Sequence, residues 1–437
     1  MTSGASSPLL DAYDGQDEIF SSAFSILQEA IANRAFPAVS AAVTHRDRLI
    51  VLKSLGHFTY EDDGVTKDRD IEIDKDKNKE KVGAPFLASS ARSGQSTVNP
   101  STLFDLASLT KVVATTPMAM ILYQRGLLDL DAPVAAIIPE FISDQKQKKD
   151  PRRPNITLRQ LLTHSSGLPA YEKLYLKART RDELLHAAFT TPLTADPATR
   201  AEYSDIGFII LGVALERLAD EPLNHFSQRE IFAPLAMTNT TFNPPAELRP
   251  QIPPTADERP RSKQETCGAD TPVRKMPEAP PSSTASQQPR STFRQKIIQG
   301  EVQDENASIL GGVAPHAGLF STAPDLAKYA HTLFTGGHPI LRPETISLFT
   351  RRESAPTASS RALGWDTPSA SSQSGKYFSP NSYGHLGYTG TSLWIDPTRQ
   401  LSITLLTNRT WPDCSNLAIK QIRPKFHDAI IEALEKS

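Results

Sequence analysis

The chain begins helix–strand–strand and ends strand–strand–helix, and this mirrored arrangement limits the possible folds more than any other feature. Residues 17–34 place Ile19, Phe20, Phe24, Leu27, Ala30 and Ile31 at helical spacing. PAVSAAVTH (37–45) and RLIVLKSLGHFTY (48–60) read as two strands about the turn residues Arg46 and Asp47. At the far end, GHLGYTGTSLWIDP and LSITLLTNR read as a hairpin around PTRQ, and IKQIRPKFHDAIIEALEK as a closing helix. Terminal strands of this kind pair into one antiparallel sheet covered by the terminal helices. The stretch between them is mainly helical and forms a second lobe. The expectation is an α/β fold over 17–437: a central antiparallel sheet from N- and C-terminal strands flanked by helices, with a mostly helical second lobe. The cleft between lobes is the natural binding site.

Two polar stretches interrupt this pattern. Residues 61–98 open on EDDGVTKDRDIEIDKDKNKEKV, and residues 250–293 are rich in Pro, Ser, Thr and charge. Neither has apolar periodicity, so both are predicted to be mobile insertions. The formal net charge of -2 on 437 residues gives no reason to expect nucleic acid as a partner. The two cysteines, Cys267 and Cys414, make no disulfide framework and lack a metal-ligand neighbourhood. No basic-then-apolar leader and no membrane segment are visible, which reads as cytoplasmic. A trimmed chain leaves a periplasmic or secreted protein open. No cofactor is indicated. GGVAPHAG lacks a phosphate-loop lysine, and Asp304, Glu305 and Asn306 read as a turn or helix cap.

The chemistry gathers at FDLASLTKVVATTPMAM (104–120), where Ser108 and Lys111 stand three positions apart before an apolar run. A lysine at i+3 projects beside the serine. Desolvated, its pKa falls and it takes the hydroxyl proton, making Ser108 a nucleophile. A helix N-terminus there would also aim backbone N–H groups at an oxyanion, and Asp105 and Ser108 suit a cap. The other reading is a capping serine and a lysine reaching solvent. A second Ser-x-x-Lys, Ser143 to Lys146, sits in a polar run with no apolar helix behind it and reads as a loop.

Two further stretches follow in order. AEYSDIGFIILG puts Tyr203, Ser204 and Asp205 before an apolar helix, and YGHLGYTGTSLWID puts His385, Leu386 and Gly387 on a strand. Together with FDLASLTK, LLTHSSGL and AGLFSTAPDLAKY, they resemble the serine β-lactamase and penicillin-binding-protein superfamily. The class C branch, with its related esterases and peptidases, is the nearest match. That family carries Ser-x-x-Lys, Tyr-x-Asn and a Lys-Thr-Gly or His-x-Gly element. The resemblance runs from about Phe36 to Asn408.

The resemblance implies roles. Ser108 would be the nucleophile and Lys111 its proton acceptor. Tyr203 would carry the proton to the leaving group. The backbone N–H groups of Ser108 and Tyr388 would form the oxyanion hole. His385 would bond Tyr203 or supply positive charge when protonated. Asp205, Leu386, Gly387 and Tyr388 would meet the substrate, a small molecule or short peptide. Two departures bear on specificity. Asp205 replaces an amide that donates to a substrate carbonyl, and Leu386 replaces a hydroxyl that holds a substrate carboxylate. Both point to an ester or uncharged amide. A true β-lactamase or D-alanyl-D-alanine carboxypeptidase is the alternative. A non-catalytic binding or sensor protein on the same fold is another. His164 and His316 read as structural.

Overall fold

The computed structural model describes residues 9–60, 96–142, 150–259 and 293–436. Its strands, in chain order, are β1 (Leu10–Asp11), β2 (Ala38–His45), β3 (Arg48–Gly56), β4 (Phe104–Asp105), β5 (Thr241–Phe242), β6 (Ala256–Asp257), β7 (Ile297–Ile298), β8 (Leu319–Ser321), β9 (Tyr383–Leu386), β10 (Ser392–Asp396) and β11 (Leu401–Thr407). Six of them form the main sheet, in the order β1-β3-β2-β11-β10-β9. The two terminal hairpins meet where β11 lies antiparallel to β2, with Ile403 opposite Val43 and Leu405 opposite Ala41. The predicted closure of the chain's ends into one sheet is therefore present. The sheet is antiparallel except at its edge, where β1 runs parallel to β3.

Side-chain alternation decides which face each residue serves. Val39, Ala41 and Val43 of β2 join Trp394, Ile403 and Leu405 in one core cluster. The helices Ser21–Ala32 and Ile419–Lys436 cover that face with Phe24, Leu27, Phe426 and Ile430. Ala38, Ala42, Leu393, Ile395 and Leu406 point the other way, into a larger cluster shared with the helical lobe. The sheet is thus buried on both faces, which is why β2 reads as a nearly continuous apolar run. The helix Asp205–Ala219 is the spine of the second lobe, buried from Ile206 to Leu215.

Most of the two stretches expected to be mobile insertions, and the Ser-x-x-Lys at Ser143, lie outside the described residues. The described flanks of those stretches are built into the fold. Val98 is buried, Thr97 bridges to His57, and β6 pairs with β7. The insertion boundaries drawn from composition therefore reach too far. A short apolar residue in a polar run carries no periodicity to reveal its burial. Cys414 is disulfide-bonded. Among the described residues no helix is long and apolar enough to cross a membrane.

Candidate active site

Ser108 stands just after β4, in a single 3-10 turn, Ala107–Leu109, and Lys111 opens the next, π-helical turn. Ala107, immediately before the serine, has φ 47°, a conformation that costs a residue with a Cβ about 1 kcal/mol or more. The Asp105 carboxylate holds this bend. One oxygen accepts from Ala107 N at 2.8 Å and the other from Gln303 N at 2.7 Å. Burial is the main cause that pushes Asp105 up to about 6. Ser108 itself caps nothing: its Oγ takes hydrogen bonds from Lys111 Nζ at 2.9 Å and from Tyr203 OH at 2.7 Å. The capping-serine reading fails on this geometry, and the solvent-seeking lysine fails with it, because Lys111 is fully buried.

Lys111 has three partners. Besides Ser108, its ammonium donates to the His316 carbonyl at 3.0 Å and pairs with Asp205 Oδ1 at 2.7 Å. The sequence reading expected a depressed lysine. Burial does pull in that direction, but the carboxylate of Asp205 and the oxygen of Tyr203 outweigh it, and Lys111 is held above its ordinary value. The resting group is an ammonium ion. The same contact corrects the expectation for Asp205. Its carboxylate does not face the substrate's carbonyl alone; it is the counter-ion of Lys111. The backbone explains the placement. Ser204 caps the helix Asp205–Ala219 by accepting from Gly207 N at 3.0 Å, so Tyr203 and Asp205 leave the cap in fixed directions.

Tyr203 is packed between rings, with His164 at 4.7 Å and His385 at 5.8 Å between centroids, and Arg361 lies over its face at 5.5 Å. Burial, then the charge of Asp205, pushes its hydroxyl up to about 12. His164 accepts from Ser204 N at 3.0 Å and is structural, as expected. His385 departs from expectation. Its Nδ1–H goes to the Leu386 carbonyl at 2.8 Å, not to Tyr203. Burial and then the charges of Lys111 and Arg361 hold it well below the usual imidazole value. It is neutral near pH 7 and supplies an Nε2 lone pair rather than positive charge.

Gly387 fits because nothing larger does. A Cβ there would fall 1.9 Å from Thr391 Oγ1 and 2.5 Å from the Leu106 carbonyl, so the strand end lies against the chain that leads into Ser108. Gly212 makes a similar approach, with a Cβ falling 1.8 Å from Pro315 Cγ. Pro315 and His316 supply carbonyls to Thr115 and Lys111. Gly212→Ala is expected to displace that loop, destabilising the fold by about 1–3 kcal/mol and weakening the Lys111 contact. Thermal denaturation and turnover of the purified variant check this. Wild-type values for both would mean the loop is held by other contacts.

All of the sequence-predicted site residues except Lys111 open onto one cavity of about 290 Å³; Ser108, Tyr203, Asp205, His385, Leu386, Gly387 and Tyr388 line it. So do groups that the sequence did not single out. Arg423 is buried, donating to the carbonyls of Gly387 at 2.7 Å and Thr391 at 3.0 Å and to Gln373 at 2.9 Å. Burial, then the charge of Arg409, lowers it to about 9. Arg409 donates to the Tyr388 carbonyl at 2.7 Å. Among the described residues neither arginine has a carboxylate partner within 4.0 Å. Asp304 and Glu305 line the same cavity, with His316 beside them. Asp304 does cap a helix, as read, accepting from Ala307 N at 2.7 Å. Among the described residues no group of three or more His, Cys, Asp and Glu is placed to hold a metal ion.

Comparison with known proteins gives the family and the fold. The sequence profile of the Beta-lactamase family matches residues 24–422. The chain is 33% identical over 328 residues to the N-acetylmuramyl-L-alanine amidase of Bacillus subtilis (strain 168), covering 70% of this chain and 68% of the relative. It is 30% identical over 324 residues to the putative D-alanyl-D-alanine carboxypeptidase of Escherichia coli (strain K12), covering 70% and 69%. In fold it is similar to EstCE1, described as a hydrolase with promiscuous acyltransferase activity, with a TM-score of 0.65 at 19% identity over 95% of this chain and 99% of that one. It is also similar to the unliganded simvastatin synthase of Aspergillus terreus, with a TM-score of 0.64 at 17% identity over 96% and 99%. With the three motifs in order and a profile that spans most of the sequence, the chain belongs to the β-lactamase family of serine hydrolases.

Proposed function

We propose that this chain cleaves an amide or ester through an acyl-enzyme on Ser108, with Lys111 and Tyr203 as the proton-transfer groups. The observation that carries the reading is Ser108 Oγ lying 2.9 Å from Lys111 Nζ and 2.7 Å from Tyr203 OH. Both distances suit proton transfer. Lys111 reacts as the free amine, its ammonium proton having passed to solvent, and takes the proton on Ser108 as Oγ bonds to the substrate carbonyl carbon. The backbone N–H groups of Ser108 and Tyr388 meet the developing oxyanion. The proton passes through Tyr203 to the departing nitrogen or oxygen. Water then repeats the sequence on the acyl group and frees the serine. An intact Ser108, Lys111 and Tyr203 weigh against a purely binding role.

The cavity also bears on the substrate. The sequence alone pointed to an ester or an uncharged amide, because Leu386 lacks a hydroxyl and Asp205 replaces an amide. Arg409 and Arg423 favour a carboxylate-bearing amide instead, since a buried guanidinium without an anion is costly unless a ligand supplies one. The carboxypeptidase and amidase names of the relatives agree with an amide bond. Incubation with a fluorophosphonate, followed by mass spectrometry of peptides, tests the nucleophile. The adduct is expected on Ser108. An adduct on Ser165 with Ser108 unmodified would overturn the assignment.

A further inference from the structure

We propose that Glu305, with Asp304 and His316, forms a subsite for a free ammonium group on the acyl part of the substrate. The proposal rests on the serine-hydrolase reading for its chemistry and on separate observations for its location.

The first observation is the division of charge inside one cavity. Arg409 and Arg423 bond to the carbonyls of Tyr388 and Gly387, on the β9 side. Asp304 and Glu305 sit on the loop and short helix that follow Gln303. No hydrogen bond or ion pair joins the two groups among the described residues, although both line the same space. Unlike charges that share a cavity without pairing suit a ligand with a positive and a negative end.

The second observation is His316. Its ring is 1% exposed and lines the cavity. Nε2 bonds Asp304 Oδ1 at 3.0 Å, while Nδ1 is buried without a partner. The tautomer that donates Nε2–H to Asp304 leaves a lone pair on Nδ1. A buried acceptor with no donor is expensive to maintain, and an ammonium N–H satisfies it. Helix capping accounts for Asp304 but leaves this atom unexplained.

The third is Glu305 itself. Its carboxylate accepts a long hydrogen bond from Tyr171 OH at 3.5 Å, and no lysine or arginine pairs with it among the described residues. Burial, then the charge of Asp304, raises it to about 7, as expected of a carboxylate that lacks a local cation. Arg294 is nearby but is taken by Glu258 at 2.6 Å.

The subsite is also tied to the nucleophile. Asp105 bonds both Ala107 N, before Ser108, and Gln303 N, before Asp304. Lys111 holds the His316 carbonyl. An acyl group esterified to Ser108 opens onto the cavity that these acids line. The α-amine of a short peptide, with a pKa of about 8, is protonated at neutral pH, and the arginines take the carboxylate at the other end. The substrate class is an amine-terminated short peptide or aminoacyl compound with a carboxylate beyond the scissile bond.

Binding to the full-length Ser108→Ala protein separates this subsite from catalysis. Calorimetry at pH 7 compares D-alanyl-D-alanine with its N-acetyl derivative, which keeps the carboxylate and loses the ammonium. The free amine is expected to bind roughly ten- to a hundredfold more tightly. Glu305→Gln in the same background is expected to bring that ratio towards one. Equal binding of the two peptides, no binding of either, or a preference that survives in E305Q overturns the subsite. A fluorophosphonate adduct missing from Ser108 in the unmodified protein would overturn the hydrolase reading instead, whatever the binding ratio.

Discussion

Lys111→Met is expected to lower kcat/KM for an activated ester by about 10²–10⁴-fold. The methionine fills much of the lysine's volume but offers no proton acceptor at the 2.9 Å position beside Ser108 Oγ. The same substitution leaves the Asp205 carboxylate without its cation, and breaking a buried ion pair from one side costs about 3–5 kcal/mol. A loss of activity alone would thus confuse a missing base with a loosened fold. The double variant Lys111→Met/Asp205→Asn separates the two. With both charges gone, the stability is expected to return most of the way to wild type, read by the urea midpoint. The turnover is not expected to return, because no base has been restored. Recovery of turnover together with stability would show that Lys111 only holds the site together and that another group takes the Ser108 proton.

The sheet was legible in the sequence because both terminal hairpins carry turn residues and apolar strands, and such strands admit few alternatives once the ends must pair. Arg46 takes φ 57° in the turn where Arg46 and Asp47 were read as turn residues. Ser108, Lys111 and Tyr203 were legible because their spacing and context repeat a pattern with a mechanism. The charges around them were not. Arg423 lies on the helix Ile419–Lys436, among Lys420, Lys425 and Asp428, where an arginine normally reads as solvent-facing. Only the packing of that helix on the sheet turns this side chain inward to the Gly387 carbonyl. Glu305, with its neighbours, reads as a turn or helix cap for the same reason: local sequence accounts for it without reference to the cavity. His316 was read as structural, and its pairing with Asp304 fits that. Its unpartnered Nδ1 is visible only when both neighbours are in place. The bend at Ala107 had no signal either, since alanine is an unusual choice for a positive φ, and the strain is held by Asp105 and by contacts from distant residues.

Asp205→Asn is expected to move the acidic limb of the kcat/KM profile to lower pH by about one to three units. The sign follows from which form of Lys111 reacts. The ammonium cannot accept the Ser108 proton, so activity rises as pH climbs through the pKa of Lys111. In the resting protein, burial works to lower that pKa, and the Asp205 carboxylate at 2.7 Å reverses it. An asparagine keeps the shape and can accept one hydrogen bond from Nζ, but it carries no charge. What remains is chiefly burial, together with the oxygen of Tyr203, and the lysine gives up its proton more readily. The variant should therefore be relatively more active than wild type on the acid side and converge with it on the alkaline side. A neutral ester is the right substrate for the measurement, because a titrating amine or carboxylate on the substrate would add a limb of its own. The Glu305 and Asp105 carboxylates, at about 7 and about 6, are present in both proteins and cancel in the comparison. A limb that stays in place would remove Lys111 as the titrating base. A uniform fall in rate at every pH would assign the proton to Asp205 itself, reached through the lysine, and would make the carboxylate in this Tyr-Ser-Asp segment part of the relay rather than the group that sets its pH.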